Sequence, residues 1–231
     1  MDHVDALVTA GGRGSRMRDV PGEKPIVPLL GRPMIDHVLG ALRQASGVGR
    51  LHVSVSDNVP MTERHLRDAG VEVVPTSGAG YVADLQEALA HVRSEHVLIC
   101  PADMPLLTAN GIESVLSYFK RADVESLSVA VPAVIVRTVG AVPSYTLEVD
   151  GREVVVCGVS IVHRETMLSG ATLSQGFMVT EDVQFALNVN TREELARAEG
   201  MLRKQRAGRA YRLVSGASVT HERSRRGLDK L

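Results

Sequence analysis

Leu7-Val-Thr-Ala-Gly-Gly-Arg-Gly-Ser-Arg-Met-Arg-Asp-Val-Pro-Gly-Glu-Lys-Pro25 opens as an apolar strand, turns through closely spaced glycines and ends on a basic residue. Without Cβ atoms, Gly11, Gly12 and Gly14 let the backbone turn tightly and approach a ligand closely. Consecutive N–H groups in such a turn form a concave cradle for an anion. Arg13, Arg16, Arg18 and Lys24 add positive charge, and a guanidinium can fork onto two phosphate oxygens. The stretch reads as a strand running into a phosphate loop.

Outward from this loop the chain alternates. Asp5–Thr9 is expected as a buried strand, Pro25–Leu30 as a short apolar segment and Gly31-Arg32-Pro33 as a turn. Met34, Val38, Leu39 and Leu42 recur at helical spacing, and Gly47 and Gly49 end that helix. Leu51–Val55 is a second strand, and Thr62 is the expected N-cap of a helix over Glu63–Ala69. Gly70 ends it before a third strand, Val71–Val74. A polar loop from Pro75 leads to a helix in which Val82, Leu85, Leu89 and Val92 face the core. Val97–Cys100 is a fourth strand, closed by Pro101-Ala-Asp-Met-Pro105, and Thr108–Lys120 a further helix.

This alternation implies the α/β class, with parallel strands and helices on both faces. Ligands of such sheets bind at the carboxyl ends of the strands. The second half is less regular. Ser126–Val131, Thr146–Val149 and Val154–Val162 read as strands, with Asp150-Gly151 a hairpin turn. Thr191-Arg-Glu-Glu has the pattern of a capping box for a last helix to about Leu202. No repeat and no linker interrupts the first 200 residues. The expected organisation is one domain over 1–200 and a basic extension over 201–231, flexible beyond the last helix.

With 44% hydrophobic residues, no Trp and three Phe, the core is expected to be aliphatic. No apolar run reaches the roughly 18 residues of a membrane span, and the N-terminus does not read as a signal peptide. Cys100 and Cys157 match no metal or redox spacing and read as buried, reduced thiols of a cytoplasmic protein. The eight histidines include no i, i+4 pair on a helix; His37, His91 and His163 read as surface residues in or beside helices. The net charge of −1 conceals an asymmetry: residues 201–231 carry nine Lys/Arg against two Asp/Glu. Such a tail could meet nucleic acid or an anionic surface. It has no interleaved aromatics beyond Tyr211, which weighs against nucleic acid and for a solvated extension.

Two phosphate motifs are eliminated by residue order. A dinucleotide fingerprint needs a third glycine where Met17 stands, and no Gly-Lys-Ser/Thr of a Walker loop is present. The stretch instead resembles the signature of the nucleotidyltransferase superfamily, roughly Leu-x-x-Ala-Gly-Gly-x-Gly-x-Arg-Met followed by Lys-Pro. Leu7, Ala10, Gly11, Gly12, Gly14, Arg16, Met17, Lys24 and Pro25 all match, and Thr9 replaces the more usual Met or Leu. The resemblance implies a Rossmann-like nucleotidyltransferase fold, three-layer α/β/α with a mostly parallel central sheet. It implies attack on the α-phosphorus of a nucleoside triphosphate and release of pyrophosphate. Ala10, Gly11, Gly12, Gly14 and Ser15 would cradle the leaving phosphates, Arg16 would stabilise their charge, and Lys24 would bridge toward the α-phosphate and acceptor. Arg13 and Arg18 rank second, since exposed Arg is common. The superfamily uses Mg²⁺. Asp103, after the fourth strand, matches its metal-binding Asp. Asn190 matches a second ligand, with an N-cap or turn Asn as the alternative.

A second loop bears on the nucleotide. Pro75-Thr-Ser-Gly-Ala-Gly-Tyr-Val-Ala-Asp-Leu85 resembles that of the archaeal-type GTP:adenosylcobinamide-phosphate guanylyltransferases. Asp123-Val-Glu-Ser-Leu, Val154–Val162 and Asp182–Leu195 extend the resemblance over most of residues 4–200. It implies GTP and adenosylcobinamide phosphate as partners, with Thr76, Ser77, Gly78, Asp84 and Gly158 near the nucleotide, and allows a homodimer. Guanine offers two donors, N1–H and the exocyclic amine, that one carboxylate can accept. Asp84 could do this, as could backbone carbonyls of Thr76–Gly80, or Asp84 could sit on a solvated helical face. Tyr81 could stack on a ring or pack in the core. Ser160 stands where that family usually has Asn. Molybdenum-cofactor guanylyltransferases are the nearest rival, although their loop more often ends Arg-Met-Gly-x-Asp-Lys. A sugar-nucleotide pyrophosphorylase and a nucleotide-sensing module without turnover are further alternatives.

Overall fold

In β1 (Val4–Thr9), Ala6, Leu7 and Val8 are all fully buried although they point to opposite faces, so β1 has to lie inside a covered sheet. The structure, a computed structural model, describes residues 3–17, 20–143 and 145–217, with side chains to 207. Arg18 and the tail beyond 217, both singled out above, lie outside the described residues.

After the glycine loop comes a two-residue ribbon, β2 (Pro28–Leu29) with β3 (Arg32–Pro33). The sheet around β1 comprises β4 (Val48–Val55), β5 (Glu72–Pro75), β6 (His96–Pro101), β7 (Ser126–Pro132), β8 (Leu147–Val149), β9 (Arg152–His163) and β10 (Gln175–Val179). The order is β10-β7-β9-β6-β1-β4-β5, with β8 paired to β9. β1 pairs in parallel with β4 and β6, β4 with β5, and β7 with β10. β9 runs antiparallel to its neighbours β6, β7 and β8. The sheet is mostly parallel, as expected, and β9 brings its amino-terminal half to the edge where β1, β4, β5 and β6 end.

Helices cover both faces. Against Val4, Ala6 and Val8 pack α1 (Met34–Gln44) and α2 (Pro60–Asp68). Against Leu7 and Ile99 packs α3 (Tyr81–His91). The first face also takes α4 (Ala109–Phe119) and α5 (Ala133–Thr138), and the second α6 (Arg164–Ser169). The last helix, α7 (Arg192–Ala217), packs Ala198 and Leu202 against Met17, Leu29, Met34 and Leu187, closing the chain onto the glycine loop.

Local chemistry sets most boundaries. Thr108 caps α4 by accepting from the Gly111 N–H. Asp150 and Gly151, with φ of +50° and +73°, form the left-handed turn between β8 and β9. Glu194 Oε2 accepts from the Thr191 N–H at 3.0 Å and its N–H donates to Thr191 Oγ1 at 3.1 Å, the reciprocal capping box expected there.

Several expectations are corrected. Thr62 does not cap α2: the helix starts at Pro60, and Thr62 is buried in its first turn, donating its hydroxyl to Glu23 Oε2 at 2.6 Å. Gly49 lies in β4 rather than ending α1. The last helix continues past Leu202 to Ala217, through a segment that includes strong helix formers such as Arg, Lys, Gln and Ala. The strand β10 and the short helices α5 and α6 were not expected. β10 is short, contains Gly176 and pairs on one side only, so it carries little alternation to read. His37 is not a surface residue: it is buried, and its Nε2 lies 3.0 Å from the Leu29 carbonyl oxygen.

Candidate active site

At the carboxyl edge of β1 the backbone leaves the sheet without a helix to cover it, and a cavity of about 800 Å³ opens there. The glycine loop forms one wall. The Ala10 N–H donates to the Ser54 carbonyl at 2.9 Å, and the Gly11 carbonyl accepts from Ser56 Oγ at 2.7 Å. A Cβ on Gly11 would lie 3.1 Å from the Ser56 nitrogen, a tight contact, so this close approach to the end of β4 favours glycine. Gly14, at φ +58°, closes the loop by accepting from the Met17 N–H. Beyond β6, the Ala102 N–H donates to the Thr9 carbonyl at 3.1 Å, which ties the loop bearing Asp103 to the glycine loop.

Charge converges on one spot. Lys24 Nζ donates to Asp103 Oδ2 at 2.6 Å and to Asn190 Oδ1 at 2.8 Å. Arg16 donates to the same Asn190 oxygen at 3.0 Å. The Lys24 and Asp103 side chains are only 15% and 18% exposed, so water screens this pair weakly. Asn188 Nδ2 donates to Asp103 Oδ1 at 3.0 Å and to the Cys157 carbonyl at 3.2 Å, fixing the carboxylate plane. Asn190 is held in turn, its N–H donating to Glu194 Oε2 at 2.7 Å. Asp103 and Asn190 thus present carboxylate and amide oxygens around an ammonium. Such an all-oxygen set suits a hard dication.

The opposite wall depends on Gly158. It stands at φ +92°, and a Cβ there would lie 2.7 Å from Pro101 Cγ. Between Ser128 and Ala130 the register of β9 slips, a bulge that swings Cys157 and Gly158 toward the cavity. Ser160 lies beyond this bulge, opposite Ile99 and Ser128, and does not line the cavity.

The loop after β5 is held by its own side chains. Thr76 is buried, its N–H donating to the Val55 carbonyl at 2.7 Å. Asp84 Oδ1 accepts from the Gly78 N–H at 2.8 Å, so this carboxylate shapes the loop. Ser77 does not line the cavity; its hydroxyl donates to Glu87 Oε1 at 2.7 Å. The Ser77 hydroxyl and N–H hold the Glu87 carboxyl below its ordinary range. Tyr81 is 60% exposed at the cavity, which corrects the core-packing alternative: it occupies the open first turn of α3.

Apart from Ser77, every residue assigned from the sequence lines this cavity: Ala10, Gly11, Gly12, Gly14, Ser15, Arg16, Lys24, Thr76, Gly78, Asp84, Asp103, Gly158 and Asn190. Asn188, Ser56, Asn58 and Glu194 were missed. Asn188 had a readable signal, because residues two apart in an extended segment point the same way and Asn188-Val-Asn190 has that spacing. The two thiols are buried and free, as expected. Burial pushes Cys157 up to about 12 and raises Cys100 as well, so neither is a nucleophile at neutral pH.

Known proteins share this architecture. A family model described as "MobA-like NTP transferase domain" matches residues 6–165. The adenosylcobinamide-phosphate guanylyltransferase of Methanocaldococcus jannaschii is 32% identical over 211 residues, covering 87% of this chain and 98% of that protein. A molybdenum cofactor guanylyltransferase of Shewanella piezotolerans is 28% identical over 53% of this chain, and the match spans 57% of that relative. Among solved structures, CMP:2-keto-3-deoxy-manno-octonic acid synthetase in complex with CTP superposes with a TM-score of 0.66 at 16% identity, over 89% of this chain and all of that one. A nucleotidyl transferase from Methanothermobacter superposes with a TM-score of 0.63 at 15% identity, with the same coverage. At these identities the structures speak for the fold. Fold and relatives together define a nucleotidyltransferase. The chain belongs to the MobA-like NTP transferase family. Among the described residues, no helix is long and apolar enough to cross a membrane.

Proposed function

We propose that this chain transfers the GMP unit of GTP to adenosylcobinamide phosphate, forming adenosylcobinamide-GDP and pyrophosphate. The observation that carries this reading is the 32% identity over 98% of the Methanocaldococcus relative that bears this activity in its name. The molybdenum cofactor relative matches over little more than half its length.

In this reading a phosphate oxygen of the acceptor attacks the α-phosphorus of GTP. The new P–O bond forms as the bond to the bridging α–β oxygen breaks, and that electron pair leaves with pyrophosphate. The protein's part is positioning and charge neutralisation. The N–H groups of Gly11–Ser15 cradle the β- and γ-phosphates, Arg16 neutralises the leaving pyrophosphate, and Lys24 neutralises the α-phosphate and the incoming acceptor. Asp103 and Asn190 would hold Mg²⁺, which when bound supplies further positive charge against the triphosphate. Because Asp84 is engaged with Gly78, the carbonyls of the Thr76–Gly80 loop are assigned to the guanine donors. The far end of the cavity is apolar, with Val136, Ala141, Val142 and Val155, and Val142 is 84% exposed at its rim. Such a wall suits an acceptor with a large apolar ring.

A calorimetric panel of GTP, CTP, ATP and UTP with Mg²⁺, followed by pyrophosphate release with adenosylcobinamide phosphate, tests the reading. GTP alone should bind tightly and turn over with that acceptor. Turnover with molybdopterin instead, or preference for another nucleotide, would overturn it.

A further inference from the structure

At the opposite edge of the sheet from the cavity, two histidines meet. His96 opens β6 and His163 closes β9, and the two are direct partners in the antiparallel ladder. Such cross-strand partners project from the same face, and the two rings stand 5.2 Å apart at 69°. Glu95, just before His96, places its carboxylate 4.0 Å from His96 Nδ1 and 3.7 Å from His163 Nε2. One ligand atom from each of the three residues lies within 4.8 Å of the other two.

Hydrogen bonding does not account for this cluster. Both carboxylate distances are too long for a hydrogen bond. His96 Nδ1 is cut off from solvent and has no partner, a costly state for a ring nitrogen. His163 is oriented from behind: its Nδ1 lies 2.7 Å from Thr166 Oγ1, and Thr166 Oγ1 lies 3.1 Å from Glu125 Oε1. The Thr166 N–H donates to His163 Nδ1 at 3.3 Å, so in the neutral ring Nδ1 accepts and Nε2 carries the proton. A metal at Nε2 would therefore need the other tautomer, with Nδ1–H turned to Thr166 Oγ1 and the Thr166 hydroxyl donating to Glu125. In that tautomer the chain through Thr166 and Glu125 would orient the ring as metal-binding imidazoles are commonly oriented.

We propose that Glu95, His96 and His163 bind a zinc-class dication, with water completing a four-coordinate shell. Ligand bonds of about 2.0–2.1 Å set tetrahedral edges of roughly 3.4 Å, so the three ligand atoms, which lie within 4.8 Å of one another, have to draw together around an ion. Glu95 is 75% exposed, free to adjust its rotamer and open to water. Two imidazole nitrogens separate this site chemically from the all-oxygen pair Asp103 and Asn190, since imidazole selects Zn²⁺, Co²⁺ or Ni²⁺ over Mg²⁺. A bound ion would clamp the start of β6 to the end of β9.

The test uses the full-length protein, stripped with chelator and titrated with Zn²⁺ by calorimetry in excess Mg²⁺, with Co²⁺ absorption as a second readout. One equivalent of Zn²⁺ should bind and raise Tm. His96→Ala and His163→Ala should each weaken binding by at least about 100-fold, and Thr166→Val by about 10–100-fold. Glu95→Gln, at an exposed position, should weaken it at least about tenfold while nucleotidyl transfer with Mg²⁺ stays unchanged. If the histidine variants do not fold, Glu95→Gln alone decides. Absence of Zn²⁺ binding in excess Mg²⁺, or wild-type affinity in Glu95→Gln, would overturn the proposal.

Discussion

Asp103 is gripped from two sides before any substrate arrives, by Lys24 on one carboxylate oxygen and by Asn188 on the other. Lys24 and Asp103 are expected to be indispensable for different reasons, one as a cation on the reacting phosphates and one as a metal ligand. Lys24→Ala and Asp103→Ala should each lower kcat by at least about 10²–10³-fold, with circular dichroism and a cooperative melt retained. Full activity in either variant refutes the assigned roles. Asn188 acts through Asp103, so Asn188→Ala should weaken Mg²⁺ affinity by about 10–100-fold. Excess Mg²⁺ should restore most of the rate, an outcome that simple loss of fold would not produce.

Among the elements, β9 carries the least replaceable backbone. Its bulge at Gly158 lets the strand pass Pro101 and still deliver the Cys157 carbonyl to Asn188. Gly158→Ala should therefore cost about 1–3 kcal/mol, read from urea midpoints. It should also slow turnover, because the displaced strand takes Asn188 with it. The loop between β5 and α3 is pinned by Asp84 and Glu87, whose carboxylates accept from the Gly78 and Ser77 N–H groups. The sequence pattern marked this loop as polar and glycine-rich. The pairing of Ser77 with Glu87, ten residues on, was not readable, because it depends on where α3 docks.

For the whole molecule, acid is the expected weakness. Burial lowers the pKa of His37 and of His96 from 6.5 in the folded state. The unfolded chain then binds protons that the native state refuses, so stability rises with pH through this range. The contribution is present above about pH 6.5 and is lost as pH falls through the folded values. Urea midpoints should accordingly fall between pH 7 and pH 5, and His37→Gln should flatten that slope; an unchanged slope would assign it to other groups. Much of the architecture was legible, because strongly apolar strands, Thr108, Thr191 and Asp150-Gly151 act locally, through periodicity, caps and turn angles. The order of residues in the glycine loop likewise specified the class of chemistry, since a phosphate cradle is built from one continuous backbone. What local pattern could not specify is who meets whom. The antiparallel course of β9 and the burial of His37 arise from contacts between distant segments. So do the meeting of Lys24, Asp103, Asn188 and Asn190 and the pairing of His96 with His163. Sequence by itself determined the strand-and-loop grammar and the class of chemistry. Only the tertiary structure decided which oxygens surround Lys24, because its hydrogen bonds, spanning up to 166 residues, are set by the sheet order and not by neighbours in the chain.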